Sequence, residues 1–123
     1  MKGEDGTIFL VDDDASVRDS LALLLSLSGL RTQTFADGES FLTSYRDDLV
    51  GCILTDLRMP GMSGLELQRR LTASHCEIPV IFITAHGDGS ARSQALKDGA
   101  VDYLLKPFGE ASLLSAIHAA LNW

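Results

Sequence analysis

Long apolar runs are absent from this chain of 123 residues. No stretch approaches the roughly 18 residues that a membrane-spanning helix needs. The opening MKGEDGT is charged and contains no apolar signal region. Cysteine is scarce: Cys52 and Cys76 are the only two, and they have neither CxxC nor metal-ligand spacing. Positive charge is short as well, with 10 Lys and Arg against 17 Asp and Glu and a net charge of −7. That balance argues against a bare nucleic-acid binder, which needs clustered Lys and Arg to meet phosphates. It suits a protein that meets basic partners or binds a cation. Repeats, low-complexity segments and linkers are missing too, and the turn after the first apolar run, VDDDAS, is not the GxGxxG of a dinucleotide site. These absences leave the expectation of a cytoplasmic protein with no membrane contact.

What remains is a globular composition, 46% apolar, in a length suited to one domain over residues 1–123. Four apolar runs, Ile8–Val11, Cys52–Leu54, Val80–Ile83 and Tyr103–Leu105, are nearly continuous rather than alternating, as in strands buried on both faces. A more polar fifth, Arg31–Phe35, suits a sheet edge. Helical spacing falls between them. Ser16–Leu27 aligns Val17, Leu21, Leu24 and Leu25, with Ser16–Asp19 readable as a capping box and Gly29 as the stop. Glu39–Tyr45, Gly64–Ala73, Ser90–Lys97 and Glu110–Leu121 complete five β–α alternations. Such alternation predicts an α/β fold, a parallel sheet with helices on both faces.

The first polar residues after the four strong runs are Asp12, Asp13 and Asp14, then Thr55 and Asp56, then Thr84, then Lys106. In a parallel sheet these positions share the carboxyl edge, where ligands bind at a topological switch point. Singly, each has a plainer reading: a turn former, a strand end, a snorkelling lysine. Asp14 is expected to do no more than cap the first helix. Their convergence on one edge outweighs those readings. Carboxylates at Asp12, Asp13 and Asp56 repel one another unless a cation joins them, and Mg²⁺ is the natural one, since it takes few protein carboxylates together with phosphate oxygens. Thr84 and Lys106 offer a hydroxyl and a positive charge to an anion placed there.

The segments VDDD (Val11–Asp14), DLRMPGMSG (Asp56–Gly64), ITAHGD (Ile83–Asp88) and GAVDYLLKPF (Gly99–Phe108) resemble the receiver domain of two-component response regulators. The DLRMPGMSG wording is most similar to receivers that control a LuxR-type helix-turn-helix domain. The resemblance implies a flavodoxin-like, doubly wound sheet of five parallel strands, order 2-1-3-4-5, with five helices. It implies that Asp56 accepts a phosphoryl group from a sensor histidine kinase. Asp13, Asp56 and the Arg58 backbone carbonyl would ligate Mg²⁺, and Asp12 would act mostly through water. Thr84 and Lys106 would bind the phosphoryl group, Tyr103 would be a switch aromatic that moves inward, and a cis peptide before Pro107 would aim Lys106. A homodimer on phosphorylation is expected, with DNA met only through an output domain absent from this chain. Arg58 and His86 flank the site and are expected to slow loss of the phosphoryl group by excluding water. A haloacid-dehalogenase-type phosphatase would need an Asp where Arg58 stands, and a pseudo-receiver would not keep all five polar residues.

Overall fold

The computed structural model describes residues 6–46, 49–84, 89–106 and 108–121. In chain order the elements are β1 (Thr7–Val11), α1 (Ala15–Leu27), β2 (Arg31–Phe35), α2 (Gly38–Ser44), β3 (Gly51–Asp56), α3 (Gly64–Ala73), β4 (Val80–Thr84), α4 (Gly89–Lys97), β5 (Asp102–Leu105) and α5 (Glu110–Leu121). The five strands form one sheet in the order β2-β1-β3-β4-β5, and every neighbouring pair is parallel. The polar run Arg31–Phe35 lies at an edge, as its composition predicts.

Strand side chains alternate between faces, so the near-continuous apolar runs feed two cores at once. Ile8, Leu10, Cys52, Leu54, Ile81 and Ile83 meet Leu21 and Leu25 of α1 and Leu113, Ala116 and Ile117 of α5. On the other face Phe9, Val11, Ile53, Phe82 and Tyr103 meet Phe41 of α2, Leu67 and Leu71 of α3 and Ala95 of α4. Cys52 is a core residue as its run suggested, and burial pushes its thiol up to about 12, so it stays protonated and inert.

The helix starts show what the loops contribute. Asp14 is the N-cap of α1, its carboxylate accepting from the N–H groups of Ser16 (2.9 Å) and Val17 (3.3 Å). Asp14 is thus the cap expected of it, and the capping box also read at Ser16–Asp19 is corrected. The strand end delivers Asp14 to the first open N–H groups two residues earlier, and a helix start has only one N-cap. Asp37 caps α2 and Ser63 caps α3 in the same way. Within α4 only Ala95 is fully buried, and Leu96 lies outward at 36% exposure.

Candidate functional site

Register carries the polar residues to one place. Val11 pairs with Thr55, so the next residues, Asp12 and Asp56, leave neighbouring strands at the same level. Asp56 pairs with Ile83, which sets Thr84 one residue further along β4, and Thr84 pairs with Leu105, the residue before Lys106. Four strands thus end around one spot at the carboxyl edge. Carboxylate oxygens of Asp12, Asp13 and Asp56 lie within 4.8 Å of one another.

The three acids differ in surroundings. Asp12 is fully buried, with Oδ1 accepting from the Asp14 N–H at 2.9 Å and Oδ2 3.4 Å from Lys106 Nζ. Its backbone carbonyl accepts from Arg18 Nη1 at 2.7 Å. Asp13 is exposed. Asp56 is half-buried; its Oδ1 faces the Arg58 N–H at 3.4 Å and its Oδ2 lies 3.9 Å from Lys106 Nζ. Burial and the neighbouring Asp12 charge raise the Asp56 carboxyl above its ordinary pKa, with Lys106 and the backbone N–H groups of Arg58 and Leu57 working the other way. An acid held against its own repulsion and partly out of water is one that gains from a cation or from esterification. The donor set, three hard oxygens with one positive side chain, fits a small divalent cation such as Mg²⁺ better than a softer transition metal.

The backbone is built close around Asp56. A Cβ on Gly64 would meet the Asp56 carbonyl oxygen and stand 2.9 Å from Phe82 Cε1. Only glycine lets α3 start directly beneath the end of β3. Gly61, at φ +78°, turns the intervening loop.

Thr84 is buried at the end of β4, and its carbonyl accepts from the Lys106 N–H at 2.7 Å, which ties the two strand ends together. Tyr103 is buried at 7% exposure, and its hydroxyl has no hydrogen-bond partner among the described residues. The inward movement expected of it therefore finds the ring already inside. Arg58 is exposed at the mouth. His86 and Pro107 lie outside the described residues. Sequence reading missed two polar groups next to this architecture: Arg18, which reaches from α1 to the Asp12 carbonyl, and Gln68, buried on α3 with Nε2 donating to the Ala95 carbonyl at 3.1 Å. Helical spacing signals neither, because both contacts join different elements.

Residues 8–118 match the family described as "Response regulator receiver domain". The chain belongs to that family. A receiver domain is the phosphoacceptor, signalling part of a two-component response regulator. This receiver is 44% identical over 119 residues to the transcriptional regulatory protein TdiR of Thauera aromatica, covering 97% of this chain and 52% of TdiR. It is 40% identical over 117 residues to FixJ of Bradyrhizobium diazoefficiens, covering 95% and 57%. Among solved structures, FixJ-N superimposes with a TM-score of 0.91 at 42% identity, over 96% of this chain and 94% of that one. The response regulator StyR gives 0.90 at 48% identity, over 96% and 60%. The receiver spans about half the length of the curated relatives it matches.

Proposed function

We propose that this receiver takes a phosphoryl group from the phosphohistidine of a sensor histidine kinase onto Asp56, with Mg²⁺ held by Asp13, Asp56 and the Arg58 carbonyl. The observation that carries the reading is the placing of Asp56. It is the one member of the acidic group that is half-buried, destabilised as a free carboxylate, and within 3.9 Å of Lys106. One oxygen of Asp56 attacks phosphorus, the P–N bond breaks, and its electron pair returns to the imidazole that leaves. Positioning and charge neutralisation do most of the work in such a transfer. Lys106 faces the arriving oxygens, and Mg²⁺, when bound, offsets their negative charge. Asp12 has both oxygens engaged by protein donors, which leaves direct ligation to Asp13 and Asp56.

Thr84 at the end of β4 then gains an acceptor in the new phosphoryl group and biases a two-state surface. That surface comprises α4, β5 and the loop joining them, where Leu96, Val101 and Leu105 are 36%, 44% and 49% exposed. Homodimerisation through it is the expected readout. The receiver functions as one domain over residues 1–123, in the cytoplasm, catalysing only its own phosphorylation and dephosphorylation. No helix among the described residues is long and apolar enough to cross a membrane. With a net charge of −7, DNA is met only through an output domain outside these residues. Arg58 and His86 shield the acyl phosphate from water.

The test is intact-mass spectrometry after incubation with acetyl phosphate and Mg²⁺. The wild type gains one phosphoryl group and Asp56→Ala gains none. A phosphoryl group retained by the variant moves the acceptor elsewhere.

A further inference from the structure

Asp12 is buried without exposed surface, and each of its polar groups has a partner. Its N–H donates to the Phe35 carbonyl at 3.1 Å, which continues the β1–β2 ladder. Its carboxylate is held by the Asp14 N–H and faces Lys106, as a turn and a charged site require. The fourth contact does not follow from ladder, turn or site. Arg18, one turn into α1, directs Nη1 back to the Asp12 carbonyl at 2.7 Å. That carbonyl belongs to the peptide joining Asp12 to Asp13, so the bond fixes the plane from which both acids depart.

Two physical considerations say that this arginine is not there for the helix or for the charge balance of the site. A cation near a helix N-terminus gains nothing from the helix dipole, which favours anions there. A positive group beside a cation site also opposes the cation by Coulomb's law. What the guanidinium supplies is a rigid fork and a charge-assisted hydrogen bond, stronger and better directed than a neutral one.

We propose that Arg18 is a positioning residue for the acidic cluster: by holding the Asp12–Asp13 peptide it keeps the Asp13 carboxylate facing Asp56 and so sets the affinity for a divalent cation. This rests on the reading of the cluster as the cation and phosphoryl site. Loss of the bond lets the Asp13 backbone rotate, and a ligand that must be ordered at each binding event binds more weakly.

The sign of the effect separates positioning from electrostatics. Arg18→Met keeps much of the apolar stem and removes both donor and charge. Coulomb's law alone predicts tighter Mg²⁺ binding by this variant, and positioning predicts weaker binding. The experiment is calorimetric titration with MgCl₂ at fixed ionic strength, beside a melting curve in chelator. Positioning gives a melting temperature within a few degrees of the wild type and a Kd for Mg²⁺ raised about tenfold, a change of about 1.4 kcal/mol. Equal or tighter binding by the folded variant overturns the proposal. Should Arg18→Met fail to fold, Arg18→Gln, whose amide is too short to reach the carbonyl, is held to the same two criteria. A wild type that binds no Mg²⁺ at millimolar concentration overturns the reading of the site itself, and the role of Arg18 with it.

Discussion

Asp56 illustrates how one side chain carries both cost and use. Burial at the end of β3 and the charge of Asp12 favour its protonated form, so the folded chain binds a proton there at a pH where the unfolded chain has released it. Stability therefore falls as pH rises from the ordinary value of 3.8 through the raised one, and stays reduced above it. An asparagine has no such titration. Asp56→Asn is expected to melt at a higher temperature than the wild type near neutral pH without divalent cations, and to lose less stability across the acidic window. Melting curves in chelator from about pH 4 to about pH 7 check this. A variant no more stable than the wild type at neutral pH would mean that Lys106 already cancels the repulsion. The special status of Asp56 was legible in the sequence, because it converges with Asp12, Asp13, Thr84 and Lys106 on one sheet edge, although a lone carboxylate after a strand reads as a turn former. That Asp12 would be the fully buried acid and Asp13 the exposed one was not legible, since adjacent residues on a strand end separate only once the neighbouring helix and loop are in place.

At the scale of elements, α4 stands apart. Only Ala95 of it is fully buried, with Ala91 packed partly against the core, and polar contacts lie beside them. Gln68 Nε2 donates to the Ala95 carbonyl, Arg69 Nε lies 3.9 Å from Asp98 Oδ2, and Gln94 Nε2 donates to Asp98 Oδ1 at 2.9 Å. Gln68 is 3% exposed and its Oε1 has no partner among the described residues, as is true of the Tyr103 hydroxyl on the same face of the sheet. A helix with one buried residue and an incompletely satisfied polar clasp opens more easily than α1 or α5, each rooted in the core by several apolar side chains. Amide exchange in α4 should be faster than in either. Gln68→Ala removes one buried hydrogen bond, of about 0.5–1.5 kcal/mol, while the Ala95 carbonyl keeps the Ala100 N–H as its donor. Exchange of α4 amides should rise roughly twofold to tenfold, with α1 and α5 little changed, as read by hydrogen-exchange mass spectrometry. A uniform increase over the whole chain would show that Gln68 serves global stability instead. The helical spacing of Ser90–Lys97 gave the element itself. It could not reveal how loosely the element is held, because Gln68 reads as one polar residue among several on α3.

For the whole molecule the relevant quantity is the coupling between cation and fold. The unfolded chain has no means of keeping Asp12, Asp13 and Asp56 together, so a cation bound by them stabilises only the native state. At ten times its Kd, Mg²⁺ should add about 1.4 kcal/mol of stability, and Asp13→Ala should abolish that gain while leaving the cation-free protein folded. Thermal unfolding over a series of Mg²⁺ concentrations decides the matter. A midpoint that does not move with Mg²⁺ in the wild type removes the cation from the account.

The sequence by itself determined the number and order of elements, the edge position of β2, the two-sided burial of β1, β3 and β4, and the edge on which the acids, Thr84 and Lys106 collect; the apolar run of β5 also reads as doubly buried, but it forms the other sheet edge and leaves Leu105 49% exposed. These follow from local rules, since periodicity and the first polar residue after each strand do not depend on distant contacts. The tertiary structure alone decided the finer assignments. It set aside the capping box read at Ser16–Asp19, put the Tyr103 ring inside, buried Gln68, turned Leu96 outward, and brought Arg18 to the Asp12 carbonyl. Each depends on which groups from other elements stand within hydrogen-bonding or van der Waals reach, and that is fixed only when the helices settle on the sheet.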